Sequence, residues 1–501
     1  MRIDVTYQKD HKEERAEHLS NIRVELDDMN HIQELCNKNT LNSNARFVSK
    51  RHVDEKHNGP YMIYDYKMRV SIQKEVERLP QTSEQVLMIQ NRWDKSYKNF
   101  RYIYRTSLVH EDMPNIRIDL SKVKSNRNKS VYFVESNVLS EDEKYEVEIE
   151  LINIDRPFDE GKKKNILTQL KSAVKYVLSS LQGSQFPVKY DELDAIYKDY
   201  MSLLKIVVQK VKKDDQKRSL NSKYSKSGRH FIGPSSCTLQ PINLVDDESI
   251  DNICLRRDMF CVTDKADGER KMLYIGNNLS LYFINTNLEI QFTGVKIKNM
   301  ADYKNTLIDG EYITSNKSGE SISLYAAFDI YFFKGDDVRN NPFKKKDGNN
   351  KGSPTISRRE LLLEAIDNIN NNADKKHLTI TAKSFFFATE NNLDSLYVAN
   401  DNCLKHAQIL DYETDGLIYT PMTLGVTQES SVEPPKAKNF KYTWSQSFKW
   451  KPPEYNTIDF LISTDKDAFN KPKMKQKMID GSIVNYYTLK LHVGVDKIKH
   501  G

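Results

Sequence analysis

The chain has 501 residues, 38% of them hydrophobic, with a formal charge of +6 and a pI near 8.6. That length fits about two to four domains, and 27 Tyr and 20 Phe against 18 Gly exclude a disordered or collagen-like chain. No apolar run nears the ~20 residues that span a bilayer, the opening Met1-Arg2-Ile3-Asp4-Val5 lacks a signal core, and five cysteines show neither metal-finger spacing nor a disulfide framework. The expectation is a cytoplasmic protein in a reducing compartment, with no membrane partner, whose mild basicity suits a polyanionic ligand.

Residues 20 to 155 read as strands in which charge alternates with apolar residues. Ile22-Arg23-Val24-Glu25-Leu26-Asp27, Tyr66-Lys67-Met68-Arg69-Val70, Arg101-Tyr102-Ile103-Tyr104-Arg105, Ile116-Arg117-Ile118-Asp119-Leu120 and Tyr145-Glu146-Val147-Glu148-Ile149-Glu150-Leu151 are examples. Period-2 alternation puts the charges of a strand on one face. Glu146, Glu148 and Glu150 so placed repel one another unless a divalent cation or basic groups lie between them; a solvated strand face is the plain alternative. Arg69, Lys98, Arg101, Arg105, Lys122 and Lys124 are natural complements, and a closed barrel would let the two signs face each other.

Helical spacing follows over 163–182 and again through Leu193, Ile196, Tyr200 and Leu204. The segment from Lys210 to Arg229 is basic and reads as an exposed connector, with an RNA-guiding strip through Lys212, Lys213, Lys217 and Arg218 as the sharper alternative. Strands resume at Phe231. At Lys265-Ala266-Asp267-Gly268-Glu269-Arg270, between two apolar runs, a lysine stands at the mouth of a tight turn. An Asp-Gly hairpin is the bland reading; a lysine nucleophile with a guanidinium fork for phosphate oxygens is the chemical one. Four more segments follow in order: Leu307-Ile308-Asp309-Gly310-Glu311, Ala327-Phe328-Asp329, Glu413-Thr414-Asp415-Gly416-Leu417, and Phe448-Lys449-Trp450-Lys451-Pro452-Pro453 leading into Thr457-Ile458-Asp459-Phe460. A helix is expected over Arg358–Asn368. From Thr457 a new strand pattern starts and stops at Lys497-Ile498-Lys499-His500-Gly501, as in the start of a longer module.

Together these segments resemble the covalent nucleotidyltransferase superfamily of RNA capping guanylyltransferases and polynucleotide ligases. Lys449-Trp450-Lys451-Pro452-Pro453 and Phe231-Ile232-Gly233-Pro234 are similar to the capping branch, in its viral form. The resemblance implies that Lys265 forms a lysyl-GMP phosphoramidate, that Arg270 and Glu311 hold ribose and that Phe328 stacks on guanine. It also implies that Asp415 helps bind metal, where the family usually has Glu, and that Lys449 and Lys451 grip phosphate oxygens. The first half resembles the tunnel-type RNA triphosphatases that precede guanylyltransferases in large cytoplasmic DNA viruses. That resemblance implies metal ligands at Glu25, Glu146, Glu148 and Glu150, and triphosphate ligands at Arg69, Lys98, Arg101, Arg105, Arg117 and Lys124.

The implied architecture is α+β: a tunnel-like antiparallel β-barrel (1–185), a helical and basic connector (186–230), a nucleotidyltransferase domain of ligase-like, ATP-grasp-like type (231–455) and an incomplete OB-fold (456–501). The implied function is 5′-capping of mRNA with GTP and 5′-triphosphate RNA as substrates, Mg2+ or Mn2+ as cofactor, and a methyltransferase domain or subunit as a further partner. The rival readings are an ATP-dependent polynucleotide ligase using the same lysine, and an RNA-binding scaffold with decayed sites.

Overall fold

The computed structural model describes residues 1–8, 17–41, 44–52, 60–71, 73–76, 79–154, 159–208, 226–247, 253–257, 259–345, 356–374, 377–389, 392, 394–430, 432–434, 436–455, 457, 459–468 and 470–494. Most of the basic connector, including Lys212, Lys213, Lys217 and Arg218, lies outside them.

The alternating segments form β1 (Arg2–Gln8), β2 (Glu17–Glu25), β3 (Arg46–His52), β4 (Tyr61–Ile63), β5 (Met68–Val70), β6 (Gln73–Val76), β7 (Lys98–Val109), β8 (Ile116–Ser125) and β9 (Lys144–Leu151). Interspersed helices are α1 (Met29–Lys38), α2 (Glu84–Asn91), α3 (Glu160–Gln182) and α4 (Tyr190–Leu203). Next in the chain come β10 (Ser235–Thr238), β11 (Phe260–Ala266), β12 (Glu269–Ile275), β13 (Ser280–Asn285) and β14 (Ile290–Lys296). Two units result: Met1–Ser227 with Tyr274–Lys298, and Gly228–Leu273 with Asn299–Gly501.

In the first unit, seven antiparallel strands run in the order β6-β3-β2-β1-β7-β8-β9. Ile3, Val5, Ile22, Val24, Phe47 and Phe100 point to one side and bury against Leu35 of α1, Val86 and Ile89 of α2, and Trp93. Asp28 starts α1 by accepting the N–H groups of Asn30 and His31 at 2.7 and 3.3 Å, the ordinary work of an N-cap. Leu170 and Ala173 of α3 cover Ile116, Ile118 and Ile149 behind β8 and β9. α4 meets the β13–β14 hairpin, where the Tyr282 hydroxyl donates to Glu192 at 2.6 Å and Asn277 donates to Asp199 at 2.9 Å.

The expected closed tunnel is not formed among the described residues: β6 and β9 are the free edges of the sheet. The physical reason is in the register. Arg117 stands opposite Glu150 on the neighbouring strand, and Arg101 and Arg105 of β7 reach across β8 to Glu146 and Glu148. Cations and carboxylates therefore complement each other sideways on one face, and segregation of charge by strand needs no opposite wall. β4 and β5 form a hairpin of their own.

The second unit adds β15 (Leu307–Ser315), β16 (Ser321–Phe333), β17 (Asp336–Asp337), α5 (Arg358–Asn372), β18 (Thr379–Ala382), β19 (Phe386–Phe387), α6 (Ser395–Ile409), β20 (Thr414–Pro421) and β21 (Thr443–Trp450). One sheet runs β10-β21-β20-β11-β19; β12, β15, β16 and β17 follow one another in a second sheet, with β18 also on β16. The Asp267-Gly268 turn is thus no hairpin, because β11 and β12 belong to different sheets. Alternation along β11 divides its side chains between two cores. Phe260 and Val262 pack with Leu417, Tyr419, Phe448 and the α6 residues Leu396, Ala399 and Cys403. Cys261 packs with Phe343, Phe385 and Met422, against which Phe328 and Phe387 lie.

The last strands are β22 (Leu461–Thr464), β23 (Met474–Ile479), β24 (Ser482–Tyr487) and β25 (Leu489–His492). They pair only as β22–β25 and β23–β24, so the described residues contain no OB barrel. Among the described residues no helix is long and apolar enough to cross a membrane.

Candidate functional site

Lys265 is the last residue but one of β11, where the ladder with β20 slips between Asp264 and Ala266. The slip turns its ammonium to the Asp415 carboxylate, Nζ to Oδ1 2.6 Å. The other Asp415 oxygen pairs with the Lys451 ammonium. Burial works against ionisation of Asp415, but the hydrogen bonds from Lys265 and Lys451 outweigh it and hold its carboxyl below the usual range. Lys449 faces Ile418 across the β20–β21 ladder. Its parity is that of Lys451, two residues on. Gly416 explains how the strands come this close. Its φ is +148°, and a Cβ there would lie 1.9 Å from the carbonyl oxygen of Trp450.

Arg270 is locked in place. Its Nε and Nη2 donate to Asp309 at 3.1 and 2.6 Å, and Nη1 donates to the Pro234 carbonyl at 2.8 Å. Tyr331 donates its hydroxyl to the same Asp309 at 2.6 Å. Gly233 lets the Phe231–Pro234 segment cross this pair, since a Cβ there would meet Arg270 Nη2 at 2.7 Å and Asp309 Oδ2 at 2.9 Å. The guanidinium carbon lies 5.5 Å from the Phe328 ring centre and 5.7 Å from that of Phe231, within cation–π range.

Glu311, two residues after Asp309 on β15, is buried enough to raise its pKa to about 7, although Arg270, Lys383 and Lys265 pull it down. One of its carboxylate oxygens is buried with no hydrogen-bond partner among the described residues. Such an orphan is the natural seat of a ligand hydroxyl. Lys383, absent from the sequence reading, is buried and pairs with Asp264 at 2.9 Å, while the Tyr412 hydroxyl donates to the same carboxylate at 3.1 Å. Asp309 was legible in principle, because strand parity puts it beside Glu311. Lys383 was not, because 119 residues separate it from Asp264.

Residues 204–452 match the family model described as mRNA capping enzyme, catalytic domain. This stretch is similar to capping-enzyme catalytic domains. A protein of Acanthamoeba polyphaga mimivirus named "Probable mRNA-capping enzyme" is 26% identical over 399 residues, covering 73% of this chain and 29% of its own. The mRNA-capping enzyme of Caenorhabditis elegans is 27% identical over 278 residues, with 51% and 38% covered. That of African swine fever virus is 24% identical over 219 residues, with 44% and 20% covered. The chain thus spans between 20% and 38% of the length of these relatives.

A second constellation precedes the capping-enzyme stretch, on the open face of the seven-stranded sheet. Arg2, Arg23, Glu25, Asp27, Arg46, Arg101, Arg105, Arg117, Glu146, Glu148 and Glu150 line a pocket of about 330 Å³. Arg101 grips both oxygens of Glu146 at 2.9 and 2.8 Å. Arg105 spans Asp119 at 3.0 Å and Glu148 at 2.7 Å, and Arg117 bridges Asp119 and Glu150. Asp119 is fully buried and also accepts the Ser107 hydroxyl at 2.7 Å. One of its oxygens and one each from Glu148 and Glu150 lie within 4.8 Å of one another. Asp119 was readable, since it shares parity with Arg117.

Several expected ligands stand elsewhere. Glu25 is held by Arg23 at 2.6 Å and Arg46 at 3.4 Å, and neither it nor Glu146 belongs to the acidic trio. Lys98 shares parity with Phe100 and not with Arg101, so it points into the core. It is fully buried, and its ammonium donates to the carbonyls of Trp93, Ser96 and Val131 at 2.5, 3.0 and 2.7 Å. Burial lowers its pKa to about 8. Lys124, again on the even parity of β8, donates to the Leu139 carbonyl at 2.9 Å. Arg69 lies exposed on the β4–β5 hairpin.

Proposed function

We propose that the chain caps RNA 5′ ends, with guanylyl transfer at Lys265 as its central reaction. The observation that carries this is the contact chain Lys265–Asp415–Lys451 beside the Asp309-clamped Arg270 and the orphaned Glu311 oxygen, inside a stretch that matches the capping-enzyme catalytic domain. The Lys265 amine, once free of its proton, attacks the α-phosphorus of GTP. A P–N bond forms as the bridge to the β-phosphate breaks, and pyrophosphate leaves with the electron pair. A β-phosphate oxygen of a 5′-diphosphate RNA then attacks the same phosphorus, the P–N bond breaks, and Lys265 regains a proton. Arg270 and Glu311 hold the ribose, Phe328 stacks on the base, and Lys449 and Lys451 balance charge on the transferred phosphate. Asp415, whose carboxylate contacts both Lys265 and Lys451, would hold a divalent cation if an ammonium gave way to it, and the ion would add neutralising charge at the phosphates.

The test is incubation with Mg2+ and either α-labelled GTP or α-labelled ATP, followed by a denaturing gel. The expected result is a covalent band from GTP alone, absent in Lys265→Ala. A band from ATP alone would make the protein a ligase, and no band would leave a binding scaffold.

The charged pocket of the first unit supports a second activity, release of the γ-phosphate from 5′-triphosphate RNA. Its arginines suit phosphate oxygens, and the all-oxygen set Asp119, Glu148 and Glu150 suits Mg2+ or Mn2+. Such an ion would neutralise triphosphate charge when bound. Release of labelled γ-phosphate, lost in Asp119→Asn, is the expected outcome. The product is the diphosphate end that guanylyl transfer consumes.

A further inference from the structure

Two cations of the second unit have no place in the chemistry above. The Lys344 ammonium lies 4.5 Å, and the Arg359 guanidinium carbon 5.3 Å, from the centre of the Phe387 ring. Both residues are half-buried. Neither has a carboxylate partner among the described residues, and Arg359 Nη1 is buried without a hydrogen-bond partner. Their neighbours differ: Arg358 is paired with Asp329 at 2.8 Å and Lys345 with Glu360 at 3.4 Å. Burial lowers the pKa of Arg359, as expected of a cation that has given up water without gaining an anion. Arg359 also stands in the first turn of α5, where the helix dipole disfavours positive charge. An aromatic ring offers each cation only a modest attraction. Two partly desolvated cations on one ring, without a carboxylate to balance them among the described residues, are a site prepared for an anion.

Position narrows the anion. Phe387 pairs with Cys261 on β11, four residues before Lys265 and about 13 Å from it along the strand. Phe387 packs on the same core as Phe328. An anion held here is beyond the phosphates bonded at Lys265 yet within about four stacked nucleotides of them. We propose that Lys344 and Arg359 form a subsite for a backbone phosphate of the acceptor RNA, a few nucleotides from its 5′ end. This rests on the guanylyltransferase reading for the identity of the acceptor.

The test uses the full chain carrying Lys344→Gln and Arg359→Gln, which keep most of each aliphatic stem over the ring. Formation of the lysyl-GMP band from GTP should be unchanged within about twofold. Transfer to a ten-nucleotide 5′-diphosphate RNA should show a KM raised about tenfold, with transfer to a nucleoside 5′-diphosphate unaffected. Binding of the ten-nucleotide RNA, followed by fluorescence anisotropy without GTP, should weaken about as much. Its slope of log affinity against log salt should fall by roughly 0.7. Lys344→Arg with Arg359→Lys should restore both. Unchanged RNA affinity overturns the proposal, as does equal loss with both acceptors or slower lysyl-GMP formation, which would assign the cations to the GTP site. Should the wild type form no lysyl-GMP, the proposed function fails, while the anisotropy measurement still decides the subsite. A melting curve guards against misfolding, and the single Lys344→Gln variant, expected to weaken RNA about threefold, replaces the double one if that does not fold.

Discussion

Glu311 is a group whose ionisation burdens the fold, because its carboxyl is largely removed from water. Its pKa of about 7 lies above the ordinary 4.5, so between those values the folded chain keeps a proton that the unfolded chain has lost. Stability therefore falls as pH rises from about 4.5 through 7 and stays lower above, by up to about 3 kcal/mol. Glu311→Gln removes the charge. Melting curves should show it more stable than the wild type at pH 8 and little different at pH 4, while its lysyl-GMP formation drops about a hundredfold or more. At the other site, Asp119→Asn should cut γ-phosphate release about a hundredfold. Lys98→Met should leave that rate intact below its melting point but lower stability by about 2–4 kcal/mol, because three carbonyls lose their donor. Retained stability of Lys98→Met would show that its ammonium is not structural. The residue types at both sites were legible, and the error over Lys98 and Lys124 was one of parity: on a strand, one step moves a side chain from solvent to core.

At the scale of elements, the placing of Lys265 and Lys451 about Asp415 depends on how β20 and β21 meet. Gly416→Ala places a methyl carbon on the Trp450 carbonyl and must push apart the strands carrying Asp415 and Lys451. A stability loss of about 2–4 kcal/mol is expected, with lysyl-GMP formation lost even at temperatures where the variant stays folded. A variant as active as the wild type would mean that β21 can move without consequence. The helices were readable from their spacing: 163–182 became α3 (Glu160–Gln182), and Arg358–Asn368 became α5 (Arg358–Asn372). The Asp-Gly turn after Lys265 was ambiguous, since the same two residues close a hairpin or carry a chain between sheets. Only the partners of β11 and β12 decide which.

For the molecule as a whole, the two units predict separable chemistry. Lys265→Ala should leave γ-phosphate release unchanged, and Asp119→Asn should leave lysyl-GMP formation unchanged; loss of both activities in either variant would contradict two independent sites. The division at Ser227 is not a place to cut. Tyr274–Lys298 belongs with the first unit, where β13 and β14 meet α4. A fragment ending at residue 227 would leave Glu192 without the Tyr282 hydroxyl and the Ser184 hydroxyl without the Phe292 carbonyl. It should melt below the full chain and bind hydrophobic dyes.

The order of Lys265, Glu311, Asp415, Lys449 and Lys451 along the chain, and the alternation of charge in the first half, were properties of the sequence alone, because side-chain chemistry and period-2 geometry are local. The open sheet in place of a tunnel, the clamp of Arg270 by Asp309 and Tyr331, the Lys383–Asp264 pair, and the unbalanced Lys344 and Arg359 were decided only by tertiary structure. Each joins residues from separate strands, or reflects which edges pair, and long-range pairing leaves no mark on local composition.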